Sequence, residues 1–599
     1  MAAPLPVWKK LILGFVVSVI VGALGFGLLE GVLRLTGYGH GTCFFRKEMD
    51  AQGRHWWREN RWVTAPYFPP QLIRRPQSIR LPVEKAENAY RIFVLGSSAA
   101  MGDPEPAFSL ARQLDLLLRE AYPGIHLEVV NAGITAINSH VVRALAGDCA
   151  ELKPDLFIVY EGNNEVIGPY GPGTVFSPFL SSSAAIKAGQ AIKSTRVGQL
   201  LAAAAQAARP TKHALADWGG MQMFLKNEID RDDPRLATTQ ALFRENLRAI
   251  ASAGRKAGAQ VFLCTILTNQ KDFAPFVSRH RIGLNDLEKQ KWQESFEAGQ
   301  KAFESGDDVT AEASFRDALK LDDHFAELHF SLGKLCLRQN RPAEAKVFFQ
   351  TALDLDVLRF RTDSRLNQTI RDLSGEPGVK VVDLEAVALH SNPSGSIGNE
   401  LLYEHVHLNF QGTYLMAREL FVQVSAELLR RGKITSVKTE SEILPMSEAR
   451  HRLAYTTYEQ AMIIKELQTR FAGAPFTAQS DSASRQKLYA ERAEVAARLL
   501  AKPETKDGLV ELYEQALSIR PDDWMLRRNV GMAFVGLGLA ERALPLLEQA
   551  KALVSDDADT LFALATAQRL LGQTEAADKT FGQLRDLEPR YPGLPSEKK

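Results

Sequence analysis

At 599 residues the chain is longer than a single hydrophobic core organises, so three to four folded units are expected. Its 45% hydrophobic and 24% charged composition is that of an ordinary globular protein, and a net charge of +1 implies no nucleic-acid or other polyanion partner. The four cysteines, Cys43, Cys149, Cys264 and Cys336, lie far apart with no CxxC spacing, which excludes a disulfide framework; Cys264, in an apolar run, reads as a buried free thiol.

Leu11 to Leu29 is an uncharged apolar run led by Lys9 and Lys10 and followed by Glu30 and Arg34. About 20 apolar residues span a bilayer as a helix. A cleaved signal peptide usually has a shorter apolar region, and no good A-x-A site follows this one, so an uncleaved single-pass anchor is expected. With so short a segment ahead of the span, the amino terminus is placed inside and the bulk outside, periplasmic or extracellular. Residues 1–36 are thus tail and anchor. Residues 37–89, rich in Arg, Pro and aromatics (His55, Trp56, Trp57, Trp62, Tyr67), read as an irregular juxtamembrane linker, either a collar at the headgroups or a strap on the next domain.

From Tyr90 strands and helices alternate. Strand-like runs at Tyr90–Leu95, Leu127–Asn131, Leu156–Tyr160, Val261–Leu267 and Val379–Leu384 are separated by amphipathic stretches such as Leu110–Tyr122, Ser139–Leu152 and Leu242–Ala257. That pattern predicts a parallel sheet covered on both faces, an α/β domain whose site forms at the carboxyl ends of the strands. Three such ends are informative: Gly96-Ser97-Ser98, Asn131-Ala132-Gly133, and Glu161-Gly162-Asn163-Asn164-Glu165.

The gap between the fourth and fifth strands is too long for one crossover, and its contents repeat. Gly299 and Gly333, Ala311 and Ala345, Phe315 and Phe349, and Ala318 and Ala352 are each 34 residues apart. Small residues let two helices approach while the aromatic fills the space beside them. The period returns near the carboxyl end, where Gly531 and Ala565, Ala543 and Ala577, and Ala516 and Ala550 are again 34 apart. Both blocks, 291–359 and 506–599, resemble tetratricopeptide repeats. Between them 436–505 reads as a helical linker broken at Pro475–Ser484, with no chemistry attached to it.

The stretch Tyr90–Gly102, YRIFVLGSSAAMG, is a strand that breaks at a glycine and hands a serine to the next helix, one way to present a nucleophile. Far downstream, LLYEHVHLNFQG (Leu401–Gly412) puts Glu404, His405 and His407 ahead of another helix. Gly-x-Ser, Asn-x-Gly, Gly-x-Asn and acid-x-x-His in this order resemble the SGNH (GDSL-type) hydrolase superfamily, over 90–290 and 360–435 with the repeats inserted between. The chain is similar in particular to membrane-anchored bacterial members that carry tetratricopeptide repeats.

The resemblance implies a flavodoxin-like three-layer domain in which Ser98 is the nucleophile, His407 its base and Glu404 the acid that orients the base. Ser98, Gly133 and Asn164 would form the oxyanion hole. A serine hydroxyl needs a base within hydrogen-bond reach at neutral pH, and imidazole titrates in the right range. The first block has Ser97 where the family has aspartate, and Glu404 stands where it usually has aspartate. Ser97 and His405 are the nearest misassignments. Ala100 excludes the G-x-S-x-G elbow, and no HExxH or cysteine pair supports a metal, so no cofactor or metal is expected.

Three readings remain at this stage. The first is a serine esterase for acyl, for instance acetyl, esters of a small molecule or an envelope glycan. The second is an O-acyltransferase on the same fold. The third is a scaffold whose repeats bind a protein while the hydrolase domain is idle.

Overall fold

The computed structural model describes residues 6–50, 52–207 and 219–595; the first five residues of the expected tail lie outside the described residues. Helix Val7–Leu35 is a single apolar rod, with mean hydropathy 2.6 in its most apolar 18-residue window and none of that window buried. Its 29 residues rise roughly 43 Å, long enough to cross a membrane. Its foot is attached to the remainder of the chain. Glu30 accepts hydrogen bonds from Arg34 Nε (2.8 Å) and from the N–H of Val197 (3.0 Å), at the start of helix Arg196–Ala207.

Residues 37–89 are more regular than expected. β1 (Phe45–Met49), β2 (His55–Glu59) and β3 (Leu81–Pro82) form an antiparallel sheet in the order β1-β2-β3. The strands are short, and β2 carries Arg58 and Glu59, both buried, so no apolar alternation announces it. Those charges have specific partners: Arg58 contacts Asp556 of the carboxyl-terminal repeats, and Glu59 accepts the N–H of Ile79 at 2.7 Å.

The central sheet comprises β4 (Ala89–Gly96), β5 (His126–Asn131), β6 (Leu156–Tyr160), β7 (Gln260–Cys264) and β8 (Val379–Val382), all parallel, in the order β5-β4-β6-β7-β8. Every residue of β4 and β6 is buried, as near-continuous apolar strands between two helix layers must be. Helix Leu110–Ala121 packs with Phe410–Arg430, and Ser139–Ala150 with Pro234–Lys256. The chain runs from β4 outward to β5 and then back past β4 to β6. The carboxyl ends of β4 and β6 therefore flank the point where the winding reverses, which is where a crevice opens in such sheets.

The crossover from β7 to β8 contains four antiparallel helices, Asp286–Ser305, Asp308–Leu321, Ala326–Arg338 and Pro342–Leu355. The 34-residue spacing has a direct cause. A Cβ on Gly299 would lie 2.5 Å from the ring of Phe315, and one on Gly333 would lie 2.7 Å from the ring of Phe349. Five further helices, from Pro503–Ile519 to Thr574–Leu587, close the chain. They fold back onto the β1–β3 segment and the central domain through Ser78 to Asp557 (2.9 Å), Arg75 to Glu588 (3.1 Å) and Arg112 to Asp523 (2.6 Å). The 436–505 segment forms helices Met446–Arg452, Thr457–Phe471 and Ser482–Leu500.

Candidate active site

β4 ends at Gly96, where a side chain would strike the carbonyl oxygen of Tyr160 at 2.1 Å and Ala100 Cβ at 2.7 Å. Only glycine lets β4 run this close to β6 and turn at once into helix Ser98–Met101. The two serines go separate ways. Ser97 is buried against Glu161, which follows the end of β6, whereas Ser98 Oγ lies 2.8 Å from His407 Nε2.

His407 belongs to the loop between helices Leu384–His390 and Phe410–Arg430, more than 300 residues downstream of Ser98. The loop turns tightly around Glu404, which is completely buried. One Glu404 oxygen accepts the backbone N–H of His407 (3.0 Å) and contacts its Nδ1. The other accepts the N–H of His405 (2.9 Å) and contacts the Nδ1 of that ring. The segment is bent rather than extended, and the His405 and His407 ring centroids lie 5.9 Å apart. The bends wrap both histidines around one carboxylate, and the His405 ring is enclosed by Phe273, Phe276, Phe360 and Phe476. Burial pushes the pKa of His407 down to about 4, with Asp103 opposing and Arg470 adding to the shift; His405 is driven well below its ordinary value by burial and by His407.

The three expected oxyanion donors are arranged differently from one another. Ser98 is the first residue of its helix, so its N–H precedes the internal helical bonds. The Asn164 side chain lines the same cavity as Ser98 and His407; it gives one amide hydrogen to Ile137 O at 2.9 Å and retains a second. The N–H of Gly133 is engaged with Asn131 Oδ1 at 3.0 Å, so it can join an oxyanion site only by sharing that hydrogen. The position itself demands glycine, since a Cβ would lie 2.5 Å from Met101 N.

The cavity over Ser98 has a volume of about 440 Å³. Much of its lining is apolar, from Ile167, Phe176, Phe224, Phe360, Val406 and Phe476. Arg74, Asp103 and Thr135 line both this cavity and a second one of about 910 Å³ between the 37–89 segment and the carboxyl-terminal repeats. Two residues here have no counterpart in the sequence reading. Asp103 Oδ2 stands 3.3 Å from His407 Nε2, and Arg470, on helix Thr457–Phe471, grips Asp103 with two nitrogens at 2.8 and 3.2 Å. Burial alone would raise Asp103, but Arg470 and His407 outweigh it and hold its pKa at about 2. Asp103 was within reach of the reading, five residues after Ser98. Arg470 carries no local signal, because its partner is 367 residues away.

Among the described residues one group, Asp322, Asp323 and His324, brings potential metal ligands together at the repeat helices. Asp322 already accepts from His280 Nδ1 at 2.7 Å and from the N–H of His324 at 3.0 Å, a tie between segments.

Residues 326–356 match the tetratricopeptide repeat family. No curated protein matches the chain. Among solved structures it is similar to an acetyl xylan esterase, AlAXEase, at 12% identity and a TM-score of 0.26, over 56% of this chain and 99% of that one. It is also similar to an assembly chaperone of RpL4, at 14% identity and a TM-score of 0.16, over 48% of this chain and 99% of that one.

Proposed function

We propose that the protein is a membrane-anchored serine esterase of SGNH-hydrolase type, with helix Val7–Leu35 as its anchor and the bulk of the chain extracytoplasmic. The observation that carries the reading is the unbroken row Ser98 Oγ, His407 imidazole, Glu404 carboxylate. In the first half-reaction Ser98 Oγ bonds to the acyl carbon while its proton passes to His407 Nε2, and the departing alcohol takes that proton. In the second, water attacks the acyl-serine by the same route and releases the acid. Glu404 holds Nδ1–H and stabilises the imidazolium. The oxyanion lies between the Ser98 N–H and the free Asn164 amide hydrogen, with Gly133 contributing by a shared bond. Each such donor is typically worth about 2.7–4 kcal/mol in the transition state.

The apolar lining of the small cavity suits an acyl group, and the doorway at Arg74, Asp103 and Thr135 leads a bulky alcohol into the larger cavity. That space mixes cations (Arg61, Arg75, Arg528) with anions (Asp556, Asp557, Glu588), which favours an uncharged polar alcohol such as a sugar over a polyanion. If a sugar hydroxyl replaces water in the second half-reaction, the same row performs acyl transfer. Added glycan that accepts acyl groups faster than water does would establish that alternative. The repeats present surfaces of a kind that commonly takes peptides or proteins.

The decisive experiment reacts the detergent-solubilised full-length protein with a fluorophosphonate probe. The wild type is expected to be labelled and Ser98→Ala to be silent; labelling that persists in Ser98→Ala refutes the nucleophile. The pH profile is a second check. Because His407 is neutral above about pH 4, kcat/KM for p-nitrophenyl acetate should hold from neutrality down to that value. Below it the rate should fall about tenfold per pH unit as the base is protonated. A midpoint near the ordinary imidazole value would mean that Glu404, by stabilising the imidazolium, offsets the burial of the ring.

A further inference from the structure

His407 Nε2 faces two oxygens. Ser98 Oγ is at 2.8 Å and Asp103 Oδ2 at 3.3 Å. With Nδ1–H directed at Glu404, the Nε2 lone pair receives the Ser98 hydroxyl proton, and only this state can act as a base. A bare carboxylate beside Nε2 favours a different state, an imidazolium whose Nε2–H points at the carboxylate. In that state the ring already carries the proton it needs to accept. What prevents this is the fork of Arg470, with Nη1 on Asp103 Oδ2 at 2.8 Å and Nη2 on Oδ1 at 3.2 Å. A bidentate guanidinium satisfies both oxygens of a carboxylate in a fixed plane, which a lysine cannot do.

Resting on the esterase reading, we propose that Arg470 is a positioning residue: by gripping Asp103 it keeps that carboxylate from pairing with His407 at the nitrogen that must face Ser98. The helix that supplies it, Thr457–Phe471, lies in the segment between the two repeat blocks. The residues that follow, Gly473, Ala474 and Phe476, wall the same cavity. That segment is therefore part of the catalytic apparatus rather than a spacer. After Ser98 has given up its proton, the same Asp103 stands within reach of the imidazolium. The charged and titratable groups around His407 are Glu404 and His405 on its own loop and Asp103 beyond β4. Arg470 faces it from the helix, Arg74 lies behind Asp103, and Arg361 lies behind His405.

The test is the pH dependence of fluorophosphonate labelling and of p-nitrophenyl acetate turnover by the full-length protein. Arg470→Met should move the acid limb upward by about one to three pH units, the effect expected when a neighbouring charge goes unopposed. Asp103→Asn should not move it upward, and the double variant should return it close to wild type. If Arg470→Met does not fold, as judged by its melting curve, Arg470→Lys carries the test with a smaller shift in the same direction. Rates lowered by one factor at every pH, with the limb unmoved, or a double variant that keeps the shifted limb, overturn the proposal while leaving the esterase standing. No labelling of the wild type at any pH brings down the esterase and the role of Arg470 together.

Discussion

His407→Ala is expected to lower kcat/KM for p-nitrophenyl acetate by about ten-thousand-fold or more, because without a base Ser98 remains a protonated alcohol. Glu404→Gln should come within reach of the same loss. Glu404 serves both sides of its loop: one oxygen takes the N–H and ring of His407, and the other takes the N–H and ring of His405. An amide has only one acceptor oxygen, so its NH₂ must face a backbone N–H on one side. That loosens the loop and releases the His407 tautomer. Glu404→Asp tests the same point by length, since the carboxylate withdraws by one methylene and can no longer reach both histidines. The measurement is steady-state kinetics beside melting curves. A Glu404→Gln enzyme within tenfold of wild type would show that the carboxylate is structural rather than orienting.

The largest effect on stability is expected at Arg91. This side chain is 1% exposed inside the central sheet. It donates to Glu128 Oε2 on β5 (2.7 Å), to Leu152 O (2.6 Å) and to Pro82 O at β3 (3.1 Å). It thus binds the antiparallel segment to the parallel sheet. Arg91→Leu leaves the Glu128 carboxylate buried without its charge partner and two carbonyls without a donor. Breaking one side of a buried pair typically costs about 3–5 kcal/mol. Urea unfolding followed by circular dichroism measures it, and Arg91→Met combined with Glu128→Leu should recover most of the loss, since no uncompensated charge then remains. A single-variant loss below about 1 kcal/mol would mean that water reaches Glu128 and replaces the guanidinium.

The parallel strands were legible because a strand buried on both faces is nearly continuous in apolar residues, and β4 and β6 are of that kind. The expected runs at 261–267 and 379–384 extend past the observed ends at Cys264 and Val382, as apolar residues at strand ends continue into the packed loops. The helix pairs of the inserted repeats could be seen because the Gly299–Phe315 and Gly333–Phe349 contacts recur at a fixed separation. β1–β3 could not be seen. The strands are short, and their side chains Arg46, Arg58 and Glu59 engage groups hundreds of residues away or backbone; no periodicity encodes such partners.

The same division runs through the site. By itself the sequence determined which residue types stand at the strand ends, that Ser98 follows a glycine at one of them, and that an acid and two histidines precede a later helix. These are local facts, set by short-range backbone preference and spacing. Only the tertiary structure decided that Ser97 is buried against Glu161 while Ser98 faces His407, that Glu404 serves both histidines, and that Gly133 spends its N–H on Asn131. It also carried Arg470 from the far side of the repeats to Asp103. Hydrogen bonds and charge pairs are satisfied by whatever the fold brings within about 3 Å, and that distance is unrelated to separation along the chain.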